Sequence, residues 1–177
     1  MIDYYARWFY AQNRGIDPLT EAKARARHAK PPGYVAMVTE DGCDPILLSI
    51  GVPGMSVNFM YGEGRVRLSY SFIPYASTDN PVVGSAIYLS HVTIREFDPD
   101  RPEESDPLFT TLMSFVEDGT VNGAKHFRGQ KDAIEFTACY DISKHLDVYP
   151  EFGRYESIMR KVRDGYEPWL IANQAVS

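Results

Sequence analysis

The sequence predicts an α+β fold: a mostly antiparallel meander sheet of about eight strands over roughly residues 34–140, with N-terminal and C-terminal helices packed on one face. Three observations carry this expectation. Apolar residues recur with period two between Pro32 and Asp141, as on half-buried strands. Short glycine-bearing turn sequences punctuate that stretch, which favours consecutive hairpins. Helical spacing appears only outside it. A length of 177 residues fits one domain over 1–177, large enough to bury a core without disulfide or metal staples.

Residues 3–12 fit two periods. Tyr5, Trp8, Phe9 and Gln12 fall at helical spacing behind Asp3, whereas Ile2, Tyr4, Ala6, Trp8 and Tyr10 alternate as in a strand; the helix is the expectation taken here. Asp17-Pro18 then supplies an N-cap and a first-turn proline for a helix over 18–29, closed by Lys30-Pro31-Pro32-Gly33. Glu21 and Arg25 form an i,i+4 pair on its wet side.

Tyr34–Val38 and Ile46–Ile50 read as strands joined around Glu40-Asp41-Gly42. Val57, Phe59 and Tyr61 alternate with polar neighbours before the Gly62-Glu63-Gly64 turn. In Arg65–Phe72, the cleanest strand, Val66, Leu68, Tyr70 and Phe72 face one side, with Arg65, Arg67, Ser69 and Ser71 on the other. A long, bulged strand is expected over 82–97, another over 108–116 ended by Asp118-Gly119, a further turn at Asn122-Gly123, a strand over 124–128 and a last one over 132–140. Past Pro150, the stripe Phe152, Tyr155, Ile158, Met159 and Val162 predicts a helix stopped by Asp164-Gly165, with a tail containing Trp169 and Leu170 docked on the body.

Composition narrows the function classes. A net charge of −6 repels phosphate backbones, so nucleic acid is a disfavoured partner. No apolar run approaches the ~20 residues that span a bilayer. The N-terminal Met-Ile-Asp-Tyr-Tyr-Ala-Arg-Trp does not read as a secretory signal. Cys43 and Cys139 form no CxxC, and free thiols in the cytoplasm are the expectation. Glycine pairs at 51–54 and 62–64 lack the lysine and helix of a phosphate loop. His28, His91, His126 and His145 share no metal-binding spacing, so neither metal nor cofactor is expected.

Two sets of residues remain as candidates. Asp98, Asp100, Glu103, Glu104 and Asp106 crowd a proline-stiffened loop that would suit a basic protein partner. Cys139 falls on the polar side of the last strand with Glu135, and His126 on the preceding strand would complete a nucleophile and base. The leading expectation is a non-enzymatic, cytoplasmic protein-binding module, an inhibitor or immunity-type antidote covering a basic surface. The alternative is a small-molecule-binding protein or enzyme with a pocket on the polar sheet face around Cys139, where Arg65, Arg67 and Glu135 would also be examined.

Overall fold

The computed structural model describes residues 1–62, 64–75, 83–101 and 106–163. Their eleven strands form one sheet in which every pairing is antiparallel. In chain order they are β1 (Ile2–Phe9), β2 (Arg14–Leu19), β3 (Tyr34–Val38), β4 (Ile46–Ile50), β5 (Met55–Tyr61), β6 (Arg65–Pro74), β7 (Ala86–Glu96), β8 (Phe109–Phe115), β9 (Thr120–Phe127), β10 (Ile134–Cys139) and β11 (Leu146–Val148). The spatial order is β10-β9-β8-β7-β6-β5-β4-β3-β1-β2, and β11 pairs with the first residues of β7. The expected meander therefore runs unbroken from β3 to β10, within a larger sheet than the eight strands predicted. No helix among the described residues is long and apolar enough to cross a membrane.

Among the described residues the helices predicted at the two ends of the chain are not there, and the α+β expectation fails with them. Residues 2–9 form β1, because Ile2 and Tyr4 reach the core only when the backbone alternates, and the strand bonds to β3 and β2 on its two sides. Of the predicted helix over 3–12, only Tyr10–Gln12 are helical, as one 3-10 turn. The predicted helix over 18–29 shrinks to α1 (Glu21–Arg27), capped by the Thr20 hydroxyl on Lys23 N–H. Asp17 has φ of 54° and Pro18 belongs to β2, so neither starts the helix. The C-terminal stripe is present as chemistry but not as a helix. Residues 149–163 run as successive turns that press Tyr149, Phe152, Tyr155, Ile158 and Met159 onto the sheet. The predicted stop at 164–165 and the tail lie outside the described residues. Asn122-Gly123 is no turn but the middle of β9; the reversal falls at Asp118-Gly119, where Gly119 takes a φ of +89°.

Register lines give the sheet two distinct faces. On the core face one line joins Ile2, Val38, Ile46, Phe59, Leu68, Ile94, Thr111, Lys125 and Ile134 across nine strands. It is apolar but for Thr111 and Lys125. The C-terminal segment and Ala24 of α1 complete the core over this face. On the second face a parallel line joins Tyr5, Val35, Ser49, Ser56, Ser71, His91, Ser114, Asn122 and Thr137. It turns polar from the fourth strand onward. The second face is closed at its β3–β6 end, where Leu47 and Asn58 are buried, and open at its β7–β10 end, where His91, Leu112, Asn122 and Glu135 are exposed.

A bulge modifies the clean alternation of β6. Pairing slips between Phe59/Leu68 and Met60/Val66, so Arg67 has no opposite number. Val66 then lines a hollow with Asn58, Ser69 and Arg95, while Arg67 lines another with Leu68 and Ile94. Strand alternation alone places Val66 with the core residues and Arg67 beside Arg65.

The two edges of the sheet differ. β2 carries Pro18, which has no N–H to offer, and the left-handed Asp17. β10 is a regular six-residue strand without proline or bulge, with β9 as its only strand neighbour among the described residues.

Candidate functional site

The open end of the second face is the most developed candidate surface. Its side chains stand on four rigid strands, β7 to β10, and enclose a shallow hollow of about 470 Å³. His91, Thr93, Leu112, Ser114, Asn122, Ala124, Glu135 and Thr137 line it, each fixed by strand alternation and register. Gly123 keeps the floor tight from the core side: a Cβ there would come within 2.0 Å of the Phe136 ring.

Within the line, neighbouring side chains bond laterally. Thr137 donates from Oγ1 to Asn122 Oδ1 at 3.1 Å. His91 Nδ1 lies 3.0 Å from Ser90 Oγ, and its Nε2 lies 3.4 Å from Ser114 Oγ. Ser114 and His91 are the residues that sequence reasoning missed. Both occupy alternating polar positions, yet nothing local in either strand announces their pairing across β7 and β8. The group behind His91 is a hydroxyl, not a carboxylate, and β8 is bonded on both sides, which engages the amides an oxyanion would need.

The predicted catalytic set is distributed along β9 and β10 and not gathered. Cys139, Thr137 and Glu135 share the second face, as the alternation of 132–140 implied. Cys139 sits opposite Thr120, whereas His126 lies six residues further along β9, opposite Thr110 of β8. At ~3.4 Å per residue that separation is on the order of 20 Å. Glu135 is four residues from Cys139 on the same strand, and Cys43 and Cys139 are both free and exposed. Arg65 and Arg67, named with Cys139 and Glu135 for the alternative pocket, lie instead around β6 in two separate hollows.

The acidic loop follows β7. Asp98 accepts from the backbone N–H of Asp100 at 3.0 Å and lies 3.9 Å from an Arg128 nitrogen, which ties it to the start of the β9–β10 turn. Asp100 and Asp106 are exposed. Glu103 and Glu104 lie outside the described residues. Among the described residues no three His, Cys, Asp or Glu side chains gather in a metal-binding group.

Elsewhere the buried polar groups serve the fold. Lys125 is 5% exposed with its Nζ 4.0 Å from the Phe109 ring centroid and 5.2 Å from that of Phe127. Burial lowers its pKa. His145, 2% exposed, lies against Phe115 and Tyr140 with both ring centroids at 4.3 Å. Compared with protein-family models, curated proteins and solved structures, the chain matches none.

Proposed function

We propose that the protein works as a non-enzymatic protein-binding module, docking a basic partner on the open second face of β7–β10. The observation that carries this reading is the line His91, Ser114, Asn122 and Thr137, which crosses four adjacent strands with donors and acceptors in register. Short polar groups on a rigid sheet lose little side-chain entropy on docking, and Leu112 adds an apolar contact at 44% exposure. Glu135 gives the face a negative charge. Acids also flank its two ends, Asp98, Asp100 and Asp106 after β7 and Glu117 and Asp118 in the β8–β9 turn, and the sequence adds Glu103 and Glu104 between Asp100 and Asp106. With Asp98 held by Arg128, steering of a basic partner falls mainly to the other acids. An inhibitor or immunity-type antidote that covers a basic surface would have this character.

The test is affinity capture from the native cell, comparing wild type with a Ser114→Arg/Thr137→Arg pair. Wild type is expected to retain one stoichiometric basic protein and the pair to lose it. Equal retention by both removes this face from the interaction. Asp100→Asn with Asp106→Asn should then slow association with that partner, most at low salt.

A further inference from the structure

At the other end of the second face, Tyr10 and Asn13 lie against β5, β6 and the turn between them. Asn58 donates from Nδ2 to the Tyr10 hydroxyl at 3.0 Å, and a Cβ on Gly64, whose φ is +81°, would fall 2.6 Å from the Asn13 side chain. Under this contact sits a hollow of about 430 Å³ whose lining includes Tyr10, Asn58, Arg65, Ser69, Arg95 and Phe97 and, among the described residues, no aspartate or glutamate. We propose that this hollow binds a phosphate-type oxyanion between Arg65 and Arg95.

Among the described residues both guanidiniums lack a counter-ion. Neither has a carboxylate within 4 Å among the described residues, while the neighbouring Arg67 is paired with Glu96 at 3.0 Å. Arg65 is held over the rings of Tyr61 and Phe97, at 5.1 and 5.0 Å from their centroids. Its Nη1 is buried with no hydrogen-bond partner. A buried donor in that state is unfavourable, and an acceptor in the hollow would satisfy it. Arg95 is half-buried, and its one side-chain hydrogen bond is a long donation to Val66 O at 3.5 Å. Burial works against its charge, lowering its pKa.

Ser69 donates to Asn58 Oδ1 at 2.7 Å, and Asn58 donates in turn to the Tyr10 hydroxyl, which also hydrogen-bonds the Ser49 side chain, so this wall of the hollow is held in place. Two positive charges match a dianion better than a carboxylate. In a chain of net charge −6, a hollow whose described lining holds two arginines and no acid reverses the prevailing field locally. The bulge in β6 supports this arrangement, since Val66, and not Arg67, shares the hollow with Ser69 and Arg95. The site stands apart from the β7–β10 face and does not depend on the partner-binding reading.

The experiment is a titration of the whole chain with inorganic phosphate, phenyl phosphate, acetate and chloride at fixed ionic strength, at a pH where phosphate is dianionic. Calorimetry and amide NMR are the readouts. Phosphate or its phenyl ester should bind, with shifts concentrated at Gly64, Val66, Ser69 and Arg95. Tighter binding of the ester identifies a phosphomonoester as the ligand, and tighter binding of the free ion identifies phosphate itself. Arg95→Gln should weaken binding about tenfold or more, the loss expected for one charge-assisted hydrogen bond. Arg65→Lys, which keeps the charge and loses the fork, should also weaken it, and Arg67→Gln should not. The proposal fails if acetate or chloride produces the same shifts as phosphate, or if Arg95→Gln binds phosphate as wild type does.

Discussion

The hydroxyls of Tyr34 and Tyr155 meet at 2.9 Å in the buried core, joining β3 to the irregular C-terminal segment across 121 residues of sequence. The direction of this chain of bonds is fixed at its far end. His28 Nε2 lies 2.9 Å from the Pro150 carbonyl and must donate to it, so Nδ1 accepts from Tyr34 at 2.8 Å, and Tyr34 accepts from Tyr155. The hydroxyl of Tyr4 reaches Tyr155 from β1. Tyr34→Phe would leave His28 without a donor and Tyr155 without an acceptor. It should cost about 2–4 kcal/mol in urea unfolding, and Tyr155→Phe, which strands Tyr4 at a partly buried position where water can replace the partner, less. A larger loss for Tyr155→Phe than for Tyr34→Phe would contradict this ranking.

Two histidines make stability depend on pH. Burial holds His28 below its ordinary value, and burial, the first cause, with the nearby Arg163 charge lowers His145 to about 4, against an opposing hydrogen bond with the Leu89 backbone. A histidine with a depressed folded-state pKa is protonated more readily in the unfolded chain. Its contribution is therefore intact above pH 6.5 and is lost as pH falls toward 4. For His145 the drop between pH 6.5 and 5 is on the order of 1–2 kcal/mol. Unfolding of wild type and His145→Gln at both pH values measures it; the variant should show a flatter slope over that window.

Asp147 holds the most buried cation of the described residues. Arg163 is 1% exposed, bonded to the Asp147 carboxylate, with its guanidinium carbon 5.1 Å from the Phe72 ring centroid. Arg160 shares the same oxygen at 3.1 Å. Asp147→Asn should cost about 3–5 kcal/mol by stranding a buried charge. The double variant Asp147→Asn/Arg163→Met should recover part of that loss in thermal unfolding. A double variant no more stable than Asp147→Asn alone would show that the charge was not the cause.

What the sequence conveyed about this fold was set by local periodicity. Tyr34–Val38 and Ile46–Ile50 are strands at the predicted boundaries, because short apolar runs between turn residues leave few alternatives. The helix over 3–12 failed because its residues fit both periods, and the decision belonged to β3, a partner some thirty residues away. The C-terminal stripe misled for a related reason. Tyr155 and Ile158 are buried as their spacing implied, but each meets the sheet from a turn. Of the site residues, the face shared by Glu135, Thr137 and Cys139 was legible from alternation. The pairing of His91 with Ser114 and the diversion of Arg67 were not, since register and bulges depend on two strands at once.

The contrast between β2 and β10 limits how copies of this chain can associate. A strand added by backbone bonding finds no N–H at Pro18 and a distorted backbone at Asp17 on one side of the sheet, but an uninterrupted ladder from Ile134 to Cys139 on the other. A body with one adhesive rim and one inert rim can meet a twin rim to rim, and there growth ends. Polymerisation needs two receptive ends, so the chemistry at residues 17 and 18 acts as a terminator against fibre formation.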